Sequence, residues 1–173
     1  MLDFSNTQIA FRSKSDADLK RARLLFQVMG NKTIVKVGAF FSKISLKLRL
    51  PIKGVVKKTI YKQFVGGETI EECERTINLL GKFKIGTILD FSREGQDEER
   101  ELDVTKKEIL RTIEKATGHP SIPFCVFKPT GMVRFSLIEK KSEQPDQMTP
   151  EDEAEFQRFV GRVDEVCKAA YKA

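Results

Sequence analysis

Apolar residues recur every three or four positions along most of this sequence, a spacing that predicts amphipathic helices. The helices predicted in this way occupy residues 15–29, 34–48, 51–60, 69–81, 97–118, 132–139 and 149–171. Ser15, Thr69 and Thr149 each stand three positions before an acidic residue, which is a common arrangement at a helix N-terminus. Gly30 and Gly81 follow the last apolar residues of two of these segments and are predicted to end them.

Two short apolar runs interrupt the helical pattern. They cover residues 86–91 (Gly-Thr-Ile-Leu-Asp-Phe) and 122–128 (Ile-Pro-Phe-Cys-Val-Phe-Lys). Runs of this length, rich in aromatic and β-branched residues, predict strands that are buried on both faces, as in a parallel sheet. Because helices alternate with these strands, the order predicts the beginning of a β/α series. Two strands alone leave sheet edges unpaired, so we expect an incomplete domain that either self-associates through open strand edges or has a loosely packed body behind better-formed helices.

The second run ends in Lys128, which directly precedes Pro129. A residue before proline is pushed away from the helical conformation, so we expect Lys128 to be extended where the strand stops. Ligands of parallel α/β proteins bind at the carboxyl ends of the strands. Lys128 is therefore the first candidate for binding an anionic ligand. The alternative is a lysine that only turns towards solvent as the strand ends.

The net charge of +6 is unevenly distributed along the chain. Residues 1–62 contain 14 Lys and Arg against 3 Asp and Glu, whereas residues 63–173 contain 17 against 22. We therefore predict a basic helical arm at residues 1–68, followed by a mildly acidic body at residues 69–173. The basic arm is consistent with contact to nucleic acid or to an anionic membrane surface. Amphipathic helices with lysine-rich solvent faces explain the same charge with fewer assumptions.

The cysteine and histidine content argues against a metal centre. The three cysteines, Cys73, Cys125 and Cys167, lack C-x-x-C spacing, and His119 is the single histidine. These features predict reduced, mostly buried thiols in a cytosolic protein and no metal site. Residues 1–20 contain three aspartates and no apolar signal core, so we expect no export signal.

Three short motifs, the first of them at the end of the basic arm, suggest a family. They are Phe-Val-Gly-Gly-Glu at 64–68, Ile-Leu-Asp-Phe-Ser-Arg-Glu-Gly at 88–95 and Phe-Cys-Val-Phe-Lys-Pro-Thr-Gly at 124–131. Together with the arm they closely resemble the opening half of proline dehydrogenases. The resemblance implies an α/β fold in which a helical arm is followed by the first two β/α units of a (βα)8 barrel, incomplete in this chain. It also implies oxidation of L-proline to Δ1-pyrroline-5-carboxylate with FAD, and transfer of the electrons to a quinone.

The resemblance assigns roles to three residues. Lys128 matches the lysine at the end of the second barrel strand that contacts the substrate carboxylate. Glu94, four residues after Asp90, matches a glutamate that pairs with an arginine from late in the chain and gates the pocket. Asp90 would orient the loop or accept hydrogen bonds from backbone amides. No residue of this chain is assigned a catalytic role by the resemblance.

Two features depart from the family pattern. Residues 128–131 read Lys-Pro-Thr-Gly where many members have Lys-Leu-Ser/Thr-Ala. Most FAD contacts and the substrate-binding arginines are expected beyond Ala173, so we expect the isolated chain to be inactive.

The partners implied by the resemblance are L-proline and a quinone, with no nucleic acid. The implied location is the cytoplasm, including peripheral contact with the inner membrane. The alternative function is that of a non-enzymatic basic helical module that binds nucleic acid or an anionic membrane surface.

Overall fold

The computed structural model describes residues 5–91 and 93–173. The chain forms two compact units, one ending at Leu79 and the other extending from Leu80 to Ala173. The predicted boundary between arm and body, after residue 68, lies earlier in the chain than this division and stays a prediction. Ser92, which belongs to the motif at residues 88–95, lies outside the described residues.

The described residues of the first unit form helices joined by short connections. These are α1 (Thr7–Ala10), α2 (Asp16–Met29), α3 (Lys32–Lys47), α4 (Lys53–Val56), a π-helical turn (Lys57–Tyr61), α5 (Lys62–Phe64) and α6 (Ile70–Gly81), which crosses the division. The predicted start of α2 is confirmed, because the Ser15 hydroxyl accepts a hydrogen bond from the Asp18 amide at 3.2 Å. Gly30 caps the other end of α2, as predicted. Thr69 accepts a hydrogen bond from the Glu72 amide at 3.2 Å, which confirms the predicted start of α6.

The helix predicted from residue 51 differs from the expectation in two ways. It begins at Lys53, and it contains the π-helical turn. The hydroxyl of Thr59 donates a hydrogen bond to the Val55 carbonyl oxygen at 2.7 Å. In an α-helix that oxygen would accept a hydrogen bond from the Thr59 amide. The Thr59 side chain therefore competes with this backbone hydrogen bond where the π turn forms.

The first unit exposes much of its apolar surface. None of the side chains that the structure describes between residues 5 and 76 is fully buried. Phe40 and Phe41 on α3 are each 61% exposed. Phe26 and Phe64 form an edge-to-face contact, with 6.0 Å between ring centroids. Residues 5–91 and 93–173 contain no helix with the length and apolar content that spanning a bilayer requires.

The second unit contains both strands and the longest helices of the described chain. Its elements are β1 (Ile88–Leu89), α7 (Glu99–Ala116), β2 (Phe124–Cys125), a 3-10 turn (Pro129–Gly131), α8 (Phe135–Glu143), a second 3-10 turn (Pro145–Gln147) and α9 (Pro150–Lys172). The strands are parallel, with Ile88 opposite Phe124 and Leu89 opposite Cys125. The predicted order of strands and helices in this unit is confirmed.

The predicted length and burial of the strands are wrong. Each strand has two residues, in part because Pro123, just before β2, has no N–H to donate to the ladder. Phe124 is 68% exposed and Ile88 is 53% exposed. These two residues are register partners, so their side chains lie on the same face of the sheet, which the described residues leave uncovered. On the other face Leu89 is buried.

The thiols are also more exposed than predicted. Cys125 and Cys167 are exposed, and Cys73 is partly buried; all three are free. The prediction that they are mostly buried is therefore wrong. Cys125 is exposed although it shares a face of the sheet with its buried register partner Leu89.

Helices α7 and α9 form the main core of the second unit. Ile109, Ile113, Met132 and Val166 are buried together, with Phe127 packed against them. The two isoleucines are four positions apart and therefore lie on one face of α7, the face that packs into this core. Met132 directly follows the 3-10 turn after Lys128, so this core also fixes the segment that carries the candidate ligand-binding residue.

Arg162 of α9 is a charged residue inside this packing, with only 4% of its surface exposed. Its Nε donates to Asp103 Oδ1 at 2.8 Å, and its Nη1 donates to the Met132 carbonyl oxygen at 3.2 Å. Its Nη2 pairs with the Glu99 carboxylate. Arg162 thereby joins α9 to α7 and to the segment that follows Lys128.

We expect Arg162→Met to lower the free energy of unfolding of the second unit by about 2–3 kcal/mol. The substitution leaves the Met132 carbonyl without its hydrogen bond and removes a charged partner from two carboxylates. Arg158→Met is the matched control, because Arg158 also pairs with Glu99 but is 52% exposed. Its loss should cost about 0–1 kcal/mol. Urea unfolding of both variants measures these losses in free energy. Equal losses in the two variants would show that the buried contacts of Arg162 add no stability beyond that of an exposed ion pair.

The start of α9 should weaken in acid. Asp152 Oδ2 accepts hydrogen bonds from Lys140 Nζ at 2.6 Å and from the Thr149 amide at 3.1 Å. These contacts, the one with Lys140 first, lower the pKa of Asp152 from 3.8 to about 2. Because the folded-state pKa is the lower one, the stabilisation is present above pH 3.8 and is lost as the pH falls towards 2. The protection of the amides in the first turn of α9, relative to their intrinsic exchange rate at each pH, should fall over this range, and Asp152→Asn should flatten that fall.

Candidate functional site

Lys128 lies just beyond the end of β2 and is extended, with φ −108° and ψ 122°. This conformation confirms the expectation drawn from Pro129, which begins the following 3-10 turn. The Lys128 carbonyl oxygen accepts a hydrogen bond from the Gly131 amide at 3.0 Å, which closes that turn. The backbone therefore directs the chain away from the sheet immediately after the lysine.

Asp90 is brought to Lys128 by the pairing of the strands. Asp90 directly follows β1, and the carboxyl ends of parallel strands meet at the same edge of a sheet. Asp90 Oδ2 lies 3.1 Å from Lys128 Nζ. The two candidate residues taken from different parts of the sequence thus form one ion pair.

Glu94 completes the group from the loop between β1 and α7. Its Oε1 lies 3.3 Å from Lys128 Nζ. The hydrogen bond to Asp90, and then the one to Glu94, raise the pKa of Lys128 above its ordinary value. The lysine is accordingly charged at neutral pH. The structure brings together all three residues that the sequence analysis singled out for a site.

The charges of this group determine what it can bind. One ammonium and two carboxylates carry a formal charge of −1, so an incoming anion must compete with at least one carboxylate for Lys128. The side chains of Lys128, Asp90 and Glu94 are 41%, 36% and 50% exposed. Ion pairs this exposed are weak, so exchanging one carboxylate partner for another costs little. The arrangement is therefore suited to binding a small carboxylate reversibly.

Arg93 and Glu101 support the loop that carries Glu94. Arg93 Nη2 pairs with the Glu101 carboxylate, which lies in the first turns of α7. Neither residue was predicted from the sequence to have a role. The pairing spans a loop, and neither side chain lies in a periodic pattern that would have predicted it.

An apolar hollow of about 420 Å³ lies beside the 3-10 turn. Its lining residues are Phe127, Pro129, Phe159, Val160, Val163, Asp164 and Cys167. The charged member, Asp164, is an acid that pairs with Lys168 at 2.6 Å. The phosphates of FAD need cationic or backbone N–H donors. Neither this hollow nor the acidic surroundings of Lys128 fits the phosphates of the cofactor.

Comparisons with known proteins agree with the motifs. The chain is 32% identical to proline dehydrogenase 1, mitochondrial, of Dictyostelium discoideum over 151 residues, which cover 86% of this chain and 26% of that protein. It is 29% identical to proline dehydrogenase 1, mitochondrial, of Caenorhabditis elegans over 133 residues, covering 76% of this chain and 20% of the relative.

A shorter similarity exists to the carbapenem antibiotics biosynthesis protein CarD of Pectobacterium carotovorum subsp. carotovorum. It has 33% identity over 81 residues, covering 47% of this chain and 22% of that protein. No family model matches the chain, and no solved structure matches it.

The similarity to proline dehydrogenases covers most of this chain but only a small part of each relative. The bovine proline dehydrogenase 1 is a third such relative, 32% identical over 64% of this chain. The chain spans between 18% and 26% of the length of these three relatives. The resemblance inferred from the motifs is confirmed: these three relatives support a proline dehydrogenase-like family, with similarity over 64–86% of this chain.

Proposed function

We propose that the protein to which this chain corresponds oxidises L-proline to Δ1-pyrroline-5-carboxylate, and that this chain supplies the contact with the substrate carboxylate. The observation that supports the proposal is the position of Lys128, extended at the end of β2 and held by Asp90 and Glu94. The similarity to proline dehydrogenases over most of the chain supports the choice of substrate.

Lys128 would bind the proline carboxylate through its ammonium group and so fix the orientation of the ring. Asp90, at the end of a paired strand, would hold the ammonium in place before and after binding. Glu94, on a loop, is the carboxylate that the substrate would displace. In this scheme the loop carboxylate occupies the site without substrate and leaves it when proline arrives, which accounts for a gating role.

The redox chemistry would come from FAD, with a quinone as the electron acceptor; both are proposed from the family resemblance. Neither the apolar hollow nor the surroundings of Lys128 fits the flavin phosphates, so we assign the described residues only the binding and orientation of the substrate. We accordingly propose that the isolated chain neither retains flavin nor oxidises proline. We also propose that the two β/α units belong to a (βα)8 barrel and that the protein is cytoplasmic.

The role of Lys128 can be tested in a chimera in which this chain replaces the matching segment of the Dictyostelium discoideum relative. We expect the chimera to oxidise L-proline, and Lys128→Met to lower kcat/KM by about 10- to 100-fold, since one charged partner of the carboxylate is lost. Steady-state kinetics with a dye as electron acceptor measure this change.

Lys168→Met is the control, because Lys168 is a 69% exposed lysine of the same unit that pairs only locally with Asp164. It should leave kcat/KM unchanged. Binding of L-prolinamide, which lacks the carboxylate, should change little in Lys128→Met. Equal losses for proline and prolinamide would mean that Lys128 acts through the fold, and the proposed contact would be wrong.

A second candidate function, binding to an anionic membrane surface, is favoured by the surface of the first unit. Residues 19–67 contain twelve Lys and Arg and no Asp or Glu. Over the same stretch, large apolar side chains are exposed, including Phe40, Phe41 and Leu48. A helix with exposed aromatic residues and a basic polar face can lie in the headgroup region of an anionic bilayer.

We expect the chain to bind vesicles that contain anionic lipid more tightly than vesicles of zwitterionic lipid, and to bind them less tightly as salt rises. Phe40→Ser with Phe41→Ser should weaken this binding. Phe135→Ser is the control, because Phe135 is equally exposed but lies in the second unit. Co-sedimentation with vesicles that does not depend on lipid charge would refute binding to an anionic membrane surface. Salt-sensitive binding to RNA, without binding to vesicles, would instead favour nucleic acid as the partner.

A further inference from the structure

Gly131 lies where the segment carrying Lys128 meets the loop carrying Glu94. It ends the 3-10 turn after Lys128 and is buried. A Cβ atom built on Gly131 would lie 2.7 Å from the Arg93 carbonyl oxygen and 3.2 Å from Thr105 Cγ2. A carbon atom cannot pack that close to a backbone oxygen, so the two segments touch in a way that only glycine permits.

Both sides of this contact are anchored. On the loop side, Arg93 pairs with Glu101 of α7. On the other side, the carbonyl of Met132, the residue after Gly131, accepts a hydrogen bond from the buried Arg162. A side chain at position 131 therefore cannot be accommodated by a freely moving loop, and the Arg93 backbone would have to shift.

We infer that Gly131 is a positioning residue: it lets the Arg93 backbone approach closely enough for the adjacent Glu94 to reach Lys128. Gly131 thereby sets how strongly Glu94 competes with an incoming carboxylate for the lysine. The position of the Arg93 backbone is a property of this chain alone, whereas the competition with an incoming carboxylate rests on the proposed function.

Asp90 provides an internal reference for this inference. It lies at the end of β1, before the loop reaches Gly131, so its ion pair with Lys128 depends on the strand pairing. Glu94 directly follows Arg93 in the chain, so its ion pair with Lys128 depends on the contact between Gly131 and the Arg93 backbone. A substitution at Gly131 should therefore release Glu94 from Lys128 and leave Asp90 in place.

The test is the NMR titration of the Lys128 side chain in the 173-residue chain. Asp90 and Glu94 both raise its pKa, so loss of either contact should lower the pKa towards the ordinary lysine value. Gly131→Ala should lower the pKa as far as Glu94→Gln does. The double variant Gly131→Ala with Glu94→Gln should show no further decrease, because both changes remove the same contact.

Two further variants keep the test decisive. Gly161→Ala on α9 is the control, because nothing lies within 4 Å of the added Cβ atom, and it should titrate like the wild type. Glu101→Gln breaks the ion pair that holds Arg93 and adds no side-chain volume. This variant is used in the test if Gly131→Ala does not fold. It should also lower the Lys128 pKa, and this effect should vanish in the Glu94→Gln background.

The inference would be overturned if the Lys128 pKa were unchanged in the folded Gly131→Ala variant. If Gly131→Ala does not fold, an unchanged Lys128 pKa in Glu101→Gln would overturn it. A decrease of equal size with and without Glu94 would overturn it as well.

In the chimera, Gly131→Ala should lower the KM for L-proline by about two- to fivefold, the range that an exposed ion pair is worth. An unchanged KM would refute the competition between Glu94 and substrate, whereas a chimera without activity would count against the proposed function alone.

Discussion

The parallel pairing of β1 with β2 is the constraint on which the candidate site depends. The pairing comprises only two residue pairs, yet it places the carboxyl ends of both strands at one edge. Asp90 and Lys128 stand at those ends and form an ion pair there. The chemistry of the site thus follows from strand direction, because antiparallel strands would have put the two residues at opposite edges.

A sheet this small cannot maintain its geometry through its own hydrogen bonds, since two-stranded sheets are marginally stable by themselves. The support comes from the helices that follow the strands. Met132 is buried in the α7–α9 core, and Arg162 bonds its carbonyl oxygen. The segment that begins at Lys128 is therefore fixed at the sheet on one side and in the core on the other. The site combines a rigid lysine with a carboxylate, Glu94, on a loop.

Local features were predictable from the sequence, and features that depend on distant neighbours were not. The capped starts of α2 and α9 at Ser15 and Thr149 were predicted because capping involves residues three positions apart. The extended Lys128 was predicted from Pro129 alone. The burial of Phe124 was predicted wrongly, because an apolar run does not reveal whether other elements cover it.

The same reasoning explains which parts of the site were missed. Lys128, Asp90 and Glu94 were found as separate candidates, but their contact required the strand register. Arg162 was missed because its partners lie on α7 and after the 3-10 turn, far from it in sequence. Gly131 was noticed as a departure from the family pattern, and only its contact with Arg93 showed what the glycine allows.

The most direct test of the central claim is a crystal structure of the chimera with L-proline bound. In that structure we expect the proline carboxylate to lie within hydrogen-bonding distance of Lys128 Nζ, Asp90 to keep its contact with the lysine, and Glu94 to have moved away. A proline carboxylate bound elsewhere, with Lys128 still paired to both Asp90 and Glu94, would contradict it.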